Sequence, residues 1–142
     1  MKPHIEEAWR ALRLADRNIQ AFHVLKGSPE VHLTIICFHA QQAVEKSLKA
    51  VLFTRQIEFR RTHNLADLAS LLRQNGIETP ISDEQLLRLN PFAVTFRYDD
   101  MDIKVISQED VALWMTDIRE WAENLVCAAV DIEEINKNDP II

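Results

Sequence analysis

Four polar residues in one helix-forming run carry most of the chemistry this chain can offer. Gln42, Glu45, Lys46 and Lys49 stand at i, i+3, i+4 and i+7, which puts them on one face of an α-helix. His39 leans toward the same side. Two lysines, a carboxylate and an amide suit a phosphate-bearing ligand, with each lysine acting as a compact point charge. The same residues also read as the wet side of a helix, stitched by Glu45 and Lys49 four positions apart. Spacing alone leaves both readings open: a solvated face, or the polar wall of a cleft or dimer seam.

Other clusters are weaker. Arg55, Arg60, Arg61 and His63 follow the same run; they can guide phosphates toward Lys46 and Lys49, or simply be a solvated loop. His63 can instead cap the next helix or buttress the loop. Arg97 and Tyr98 precede Asp99, Asp100 and Asp102. Carboxylates attract hard cations, but no EF-hand spacing is present and an acidic turn is the default. The 5 histidines show no zinc-site spacing. No metal and no cofactor is expected.

The elements that must position these residues follow from composition. Only 2 of 142 residues are glycine, where an average domain of this size carries about ten. Turn-rich sandwiches and barrels, and glycine-rich phosphate loops, are thereby excluded. The length suits one domain with a real core. Apolar residues make up 47% and charged residues 27%, an ordinary globular balance. The net charge of −6 argues against wholesale wrapping of nucleic acid, which needs a basic footprint, and leaves room for a small basic cleft. Cys37 and Cys127 lie in apolar runs and read as buried thiols in a reducing compartment. The start, MKPHIEEAWR, is charged where a signal peptide needs an apolar core. The apolar stretches fall short of the ~20 residues a membrane span requires. A cytoplasmic protein with no membrane partner is expected.

Helix signals divide the chain. Pro3 suits a first helical turn, and Ile5, Ala8, Trp9, Leu12, Ile19 and Phe22 follow at helical spacing. Gly27 reads as the cap that ends this helix, and Ser28-Pro29 as the start of a second, running to about Phe53. Its apolar residues cover more than half its circumference, which predicts a central position in the bundle. A third helix spans roughly Asn64 to Gln74 and stops at Asn75-Gly76. Ser82 to Gln85 has capping-box spacing and opens a fourth, which Pro91 kinks or divides. Ser107 to Asp110 opens a fifth. There Val111, Trp114, Ile118, Trp121, Leu125, Ala128, Ile132 and Ile135 alternate in steps of three and four, a narrow seam for helix contact. The expected fold is an all-α, antiparallel up-and-down bundle of about five helices over residues 1–135, with 136–142 as a frayed tail.

The run from Phe38 to Leu52, with its Gln-Gln-Ala-x-Glu-Lys-x-Leu-Lys-Ala core, resembles the signature helix of HEPN domains (higher eukaryotes and prokaryotes nucleotide-binding). Thr62 to Leu68 is similar to the family's His-x-Leu segment, and Phe96-Arg97-Tyr98 to its Arg-Tyr pair. The similarity spans roughly residues 5 to 130. It implies a helical bundle that commonly dimerises and often accompanies a minimal nucleotidyltransferase in toxin–antitoxin or defence pairs. Some members are metal-independent ribonucleases; others bind nucleotides or act as accessory subunits.

The ribonuclease members carry an Arg, four to six residues, then a His, late in the bundle. There His serves as general acid/base and Arg stabilises phosphate charge. Here no histidine follows Arg97; the last in the chain is His63. Arg17 and His23 have the right separation but lie in the first helix, about 120° apart on an ideal wheel. Arg17, His23 and His63 are therefore the catalytic candidates that the sequence offers outside the family's late position. The leading expectation is a non-catalytic, dimeric module that binds a nucleotide or RNA phosphate and partners a nucleotidyltransferase. Lys46, Lys49 and Arg97 would hold phosphate, with His63 beside them; Gln42 and Tyr98 would orient it; Glu45 would position the lysines or Arg97. A ribonuclease toxin and a purely structural dimerisation module are the alternatives.

Overall fold

The computed structural model describes residues 1–93 and 106–138. Among them stand five α-helices: α1 (Pro3–Leu25), α2 (Leu33–Thr54), α3 (Leu65–Gln74), α4 (Asp83–Leu89) and α5 (Gln108–Asn138). A single 3-10 turn, Asn90–Ala93, follows α4. The described residues contain no strand, so the all-α bundle expected from glycine scarcity and helical spacing is the observed fold.

The long helices α1, α2 and α5 pack together. Asn18 reaches His39 while His4 reaches Gln56, so α1 and α2 run antiparallel. Arg119 pairs with Asp16, and Gln108 holds the amide of Gly27, so α5 is also antiparallel to α1. The short elements α3, α4 and the 3-10 turn pack on α2. As its apolar coverage implies, α2 touches every other helix. Its Ile36, Cys37, Ala40, Val44, Leu48, Val51 and Leu52 are all buried.

Local chemistry explains most of the ends. Gly27 and Gly76 adopt φ of +76° and +78°, the left-handed conformation that closes a helix without steric cost. The Asn64 side chain caps α3, and Ser82 with Gln85 forms the capping box of α4. Ser107 Oγ accepts from the Asp110 amide at 3.2 Å. Pro91 lies in the 3-10 turn, and α4 ends at Leu89 before it.

One start differs from expectation. The second helix begins at Leu33, not Pro29. The fixed φ of proline suits the second position of a β-turn as well as a first helical turn, and here the turn wins. Ser28 donates its amide to Leu25 and accepts from Val31 at 3.3 Å. The cap falls to His32, whose Nδ1 accepts from the Thr34 amide at 3.1 Å.

The α5 seam divides. Val111, Trp114, Met115, Ile118, Ala122 and Val126 are buried, with the Arg88 guanidinium 5.7 Å from the Trp114 ring. Farther along, Ile132 and Ile135 are exposed. The two cysteines part ways as well. Cys37 is buried, and burial pushes its thiol up to about 12. Cys127, expected to be buried, is exposed. It follows Val126 by one residue, which turns it about 100° off the buried face. No described helix is long and apolar enough to cross a membrane.

Candidate functional site

The polar face of α2 resolves into two clusters with different chemistry. The first is built around Glu45, whose side chain is only 5% exposed. Lys49 Nζ donates to its Oε2 at 3.1 Å, the i, i+4 pair expected from spacing. Its Oε1 lies 2.9 Å from His63 Nδ1 and accepts from Gln41 Nε2 at 3.2 Å. Gln41 also donates to the His63 carbonyl at 3.3 Å and accepts from Gln42 Nε2 at 2.7 Å. A charge this deeply buried is tolerated because cationic and neutral donors surround it.

The second cluster is built around Lys46. Its ammonium donates to Asn18 Oδ1 at 2.6 Å. Lysine can only donate, so the Asn18 amide must turn its nitrogen the other way. That nitrogen stands 3.2 Å from His39 Nδ1, which therefore accepts, as a neutral imidazole can. Burial lowers the Lys46 pKa; neighbouring Glu45 opposes this, and the charge of Lys49 adds to it. Burial also lowers that of His39, helped by Lys46. Among the described residues no carboxylate lies within ion-pair distance of Lys46.

His63 is delivered by the loop between α2 and α3. Asn64 begins α3 as its cap, and Asn90 locks that start by accepting from the Leu65 amide at 2.9 Å and donating to Asn64 Oδ1 at 3.0 Å. The same loop carries Phe59, which packs edge-on to Phe53 at 5.4 Å and lies under the Lys49 ammonium at 5.8 Å. Arg60 and Arg61 are exposed and line an open groove of about 510 Å³ with Phe59, Thr62 and Asp67. Lys49 over Phe59 joins this groove to the polar face.

Gln42, Glu45, Lys46, Lys49 and His63 thus converge on one face of the bundle. Arg17 and His23 do not: both are exposed on α1, with no bond between them, and His23 stacks edge-on against Phe22. Arg97 and Tyr98, like Asp99, Asp100 and Asp102, lie outside the described residues. Two residues bonded to these side chains lie outside the sequence reading, Asn18 and Gln41. Each had a signal. Asn18 sits at helical spacing between the buried Ala15 and Phe22, and Gln41 is fully buried beside Ala40. A polar residue inside an apolar arc needs a partner. Among the described residues no group of three acidic, histidine or cysteine side chains is placed to hold a metal ion.

A half-buried ammonium without an anion, beside a second lysine and an outward-facing imidazole, can receive a phosphate. The profile of the HEPN domain matches residues 2–128. The crystal structure of an archaeal HEPN homologue superposes with a TM-score of 0.57 at 18% identity, covering 89% of this chain and 99% of that one. At this identity the likeness speaks for the fold. No curated protein matches the chain.

Proposed function

The chain belongs to the HEPN domain family, and on that premise we propose that it is a nucleotide- or RNA-phosphate-binding module. In this reading it is the non-catalytic partner of a minimal nucleotidyltransferase in a toxin–antitoxin or defence pair, acting in the cytoplasm as a homodimer. Family membership supports a nucleotide- or RNA-related role. The exposed Ile132 and Ile135 of α5 support self-association.

One observation carries the phosphate reading. Lys46 is a partly buried cation bonded to a neutral amide; burial works against its charge, Glu45 partly offsets this from beyond ion-pair distance, and Lys49 adds to the cost. A stripe serving only to fix helix register would pair that cation, as it pairs Lys49 with Glu45. A bound phosphate would supply the missing negative charge, with Lys46 and Lys49 as point-charge donors. Titration of the purified protein with ATP, GTP and short RNA, followed by calorimetry, tests this. Binding that weakens at least tenfold in Lys46→Ala is the expected result. No binding by wild type, or unchanged affinity in Lys46→Ala and Lys49→Ala, overturns it. Solution mass tests the dimer, and co-purification with a co-expressed minimal nucleotidyltransferase tests the pairing.

A further inference from the structure

Glu45 and His63 form a pair that phosphate binding by the lysines does not itself require. Glu45 is almost fully enclosed, while the His63 side chain is 59% exposed. At 2.9 Å from a carboxylate oxygen, Nδ1 must carry a proton. The other ring nitrogen lies on the opposite side of the imidazole, so it faces away from Glu45, on the exposed part of the ring. With the ring neutral, Nε2 offers a lone pair, which repels an anion. With the ring protonated, it offers an N–H, while Nδ1 keeps its bond to Glu45.

Charge counting connects this pair to a ligand class. Lys46, Lys49 and Glu45 sum to +1 when His63 is neutral and to +2 when it is protonated. The first value matches an internal phosphodiester, which carries one negative charge. The second matches the dianion of a terminal phosphate, whose second pKa is about 6. Other charged groups are carried by the elements around His63: Arg55, Glu58, Arg60 and Arg61 on its own loop, and Asp67 in the first turn of α3. Among the described residues Glu45 is the one bonded to the ring.

We propose that this face selects a terminal phosphomonoester over an internal phosphodiester, with His63 taking up a solvent proton at Nε2 as the dianion binds. Glu45 is the positioning residue that holds the ring. The inference rests on the phosphate-binding reading above and names the ligand end that the site takes. No bond between heavy atoms is made or broken; one proton leaves solvent hydronium or a buffer acid and forms the N–H bond at Nε2 of the imidazole.

The test uses the full chain and two short RNAs of identical sequence, one with a 5′-phosphate and one with a 5′-hydroxyl. Affinities are measured by fluorescence anisotropy from pH 6.5 to 8.5, and proton uptake by calorimetry in two buffers of different ionisation enthalpy. Across this range the phosphate is already mostly dianionic, so a pH effect reports the protein. The phosphorylated RNA is expected to bind at least tenfold tighter at pH 6.5. Its affinity should fall with rising pH, by up to about tenfold per unit for one linked proton. His63→Asn keeps a donor toward Glu45 but has no outward N–H; it should lose the pH dependence and most of the preference while melting as wild type does. Equal affinities for the two RNAs, or a preference with no pH dependence and no proton uptake, overturn the proposal. If both RNAs bind equally and Lys46→Ala weakens both, the phosphate reading survives and this one falls. If neither binds, both fall.

Discussion

Glu45 and Lys46 are adjacent in sequence and opposite in circumstance. Glu45 is a buried anion surrounded by donors from three other side chains, Gln41, Lys49 and His63. Lys46 is a partly buried cation whose hydrogen-bond partner is a neutral amide on another helix. The first arrangement is closed at the carboxylate, where every donor aimed at it is satisfied; it ties α2 to the loop before α3 and leaves only the outer sides of Lys49 and His63 to solvent. The second is electrostatically open. The difference separates a polar group that serves the fold from one available to a ligand, a distinction that exposure alone does not draw.

The largest expected effect breaks the closed cluster. Glu45→Ala leaves Lys49, Gln41 and His63 without their common acceptor, and leaving the buried Gln41 donor unsatisfied costs about 1–3 kcal/mol. Urea denaturation should show a lower midpoint with an unchanged slope. A Glu45→Ala protein as stable as wild type would mean that the cluster is ornamental. Closing the open cluster is the complementary change. Asn18→Asp places a carboxylate against Lys46 and should leave the fold intact while weakening phosphate binding at least tenfold, measured by calorimetry. Full affinity in that variant would show that Lys46 is not the phosphate donor.

A smaller effect is read from pH. The His39 pKa is lowered from 6.5 by burial and by Lys46. The unfolded chain therefore binds this proton more readily than the folded one. The contribution of His39 to stability is full above pH 6.5 and is lost as pH falls through the lower folded value. Melting temperature should drop between pH 7.5 and 5.5, and His39→Asn should shrink that drop. The smallest effect belongs to the exposed pair on α1. Arg17→Ala and His23→Ala should each change stability by less than about 0.5 kcal/mol and leave RNA binding unaltered. RNA cleavage by the wild type that is lost in either variant would instead revive that pair as a site.

Legibility in the sequence followed the range of the interaction. The end of α3 and the start of α4 are legible because capping is local: Gly76 and the Ser82–Gln85 box act within a few residues, whereas the cap of α3 falls to Asn64 and not to His63, the candidate the sequence offers. The start of α2 differs from the Ser28-Pro29 start that the sequence predicts, because two local devices compete for one proline and the turn closed by Ser28 and Val31 prevails. The Glu45–Lys49 pair was readable from an i, i+4 spacing. Asn18 was not, because its bond to Lys46 joins residues 28 apart, and periodicity carries no information about which side chain a second helix presents. The α5 seam was readable as a contact stripe, but not the point beyond Val126 where it leaves the core, since that depends on how long its neighbours are.

The sequence by itself determined five helices, the caps that bound most of them and the shared face of Gln42, Glu45, Lys46 and Lys49. Backbone propensity and capping energies act over one or two turns, so they are written in neighbouring residues. Only the tertiary structure decided which of these polar groups would be spent. Packing α1 against α2 brought a neutral amide, not a carboxylate, to Lys46, and docking the loop after α2 set His63 against Glu45. The electrostatic state of a charged group depends on everything within a few ångströms of it, and those neighbours come from segments the chain brings together only by folding.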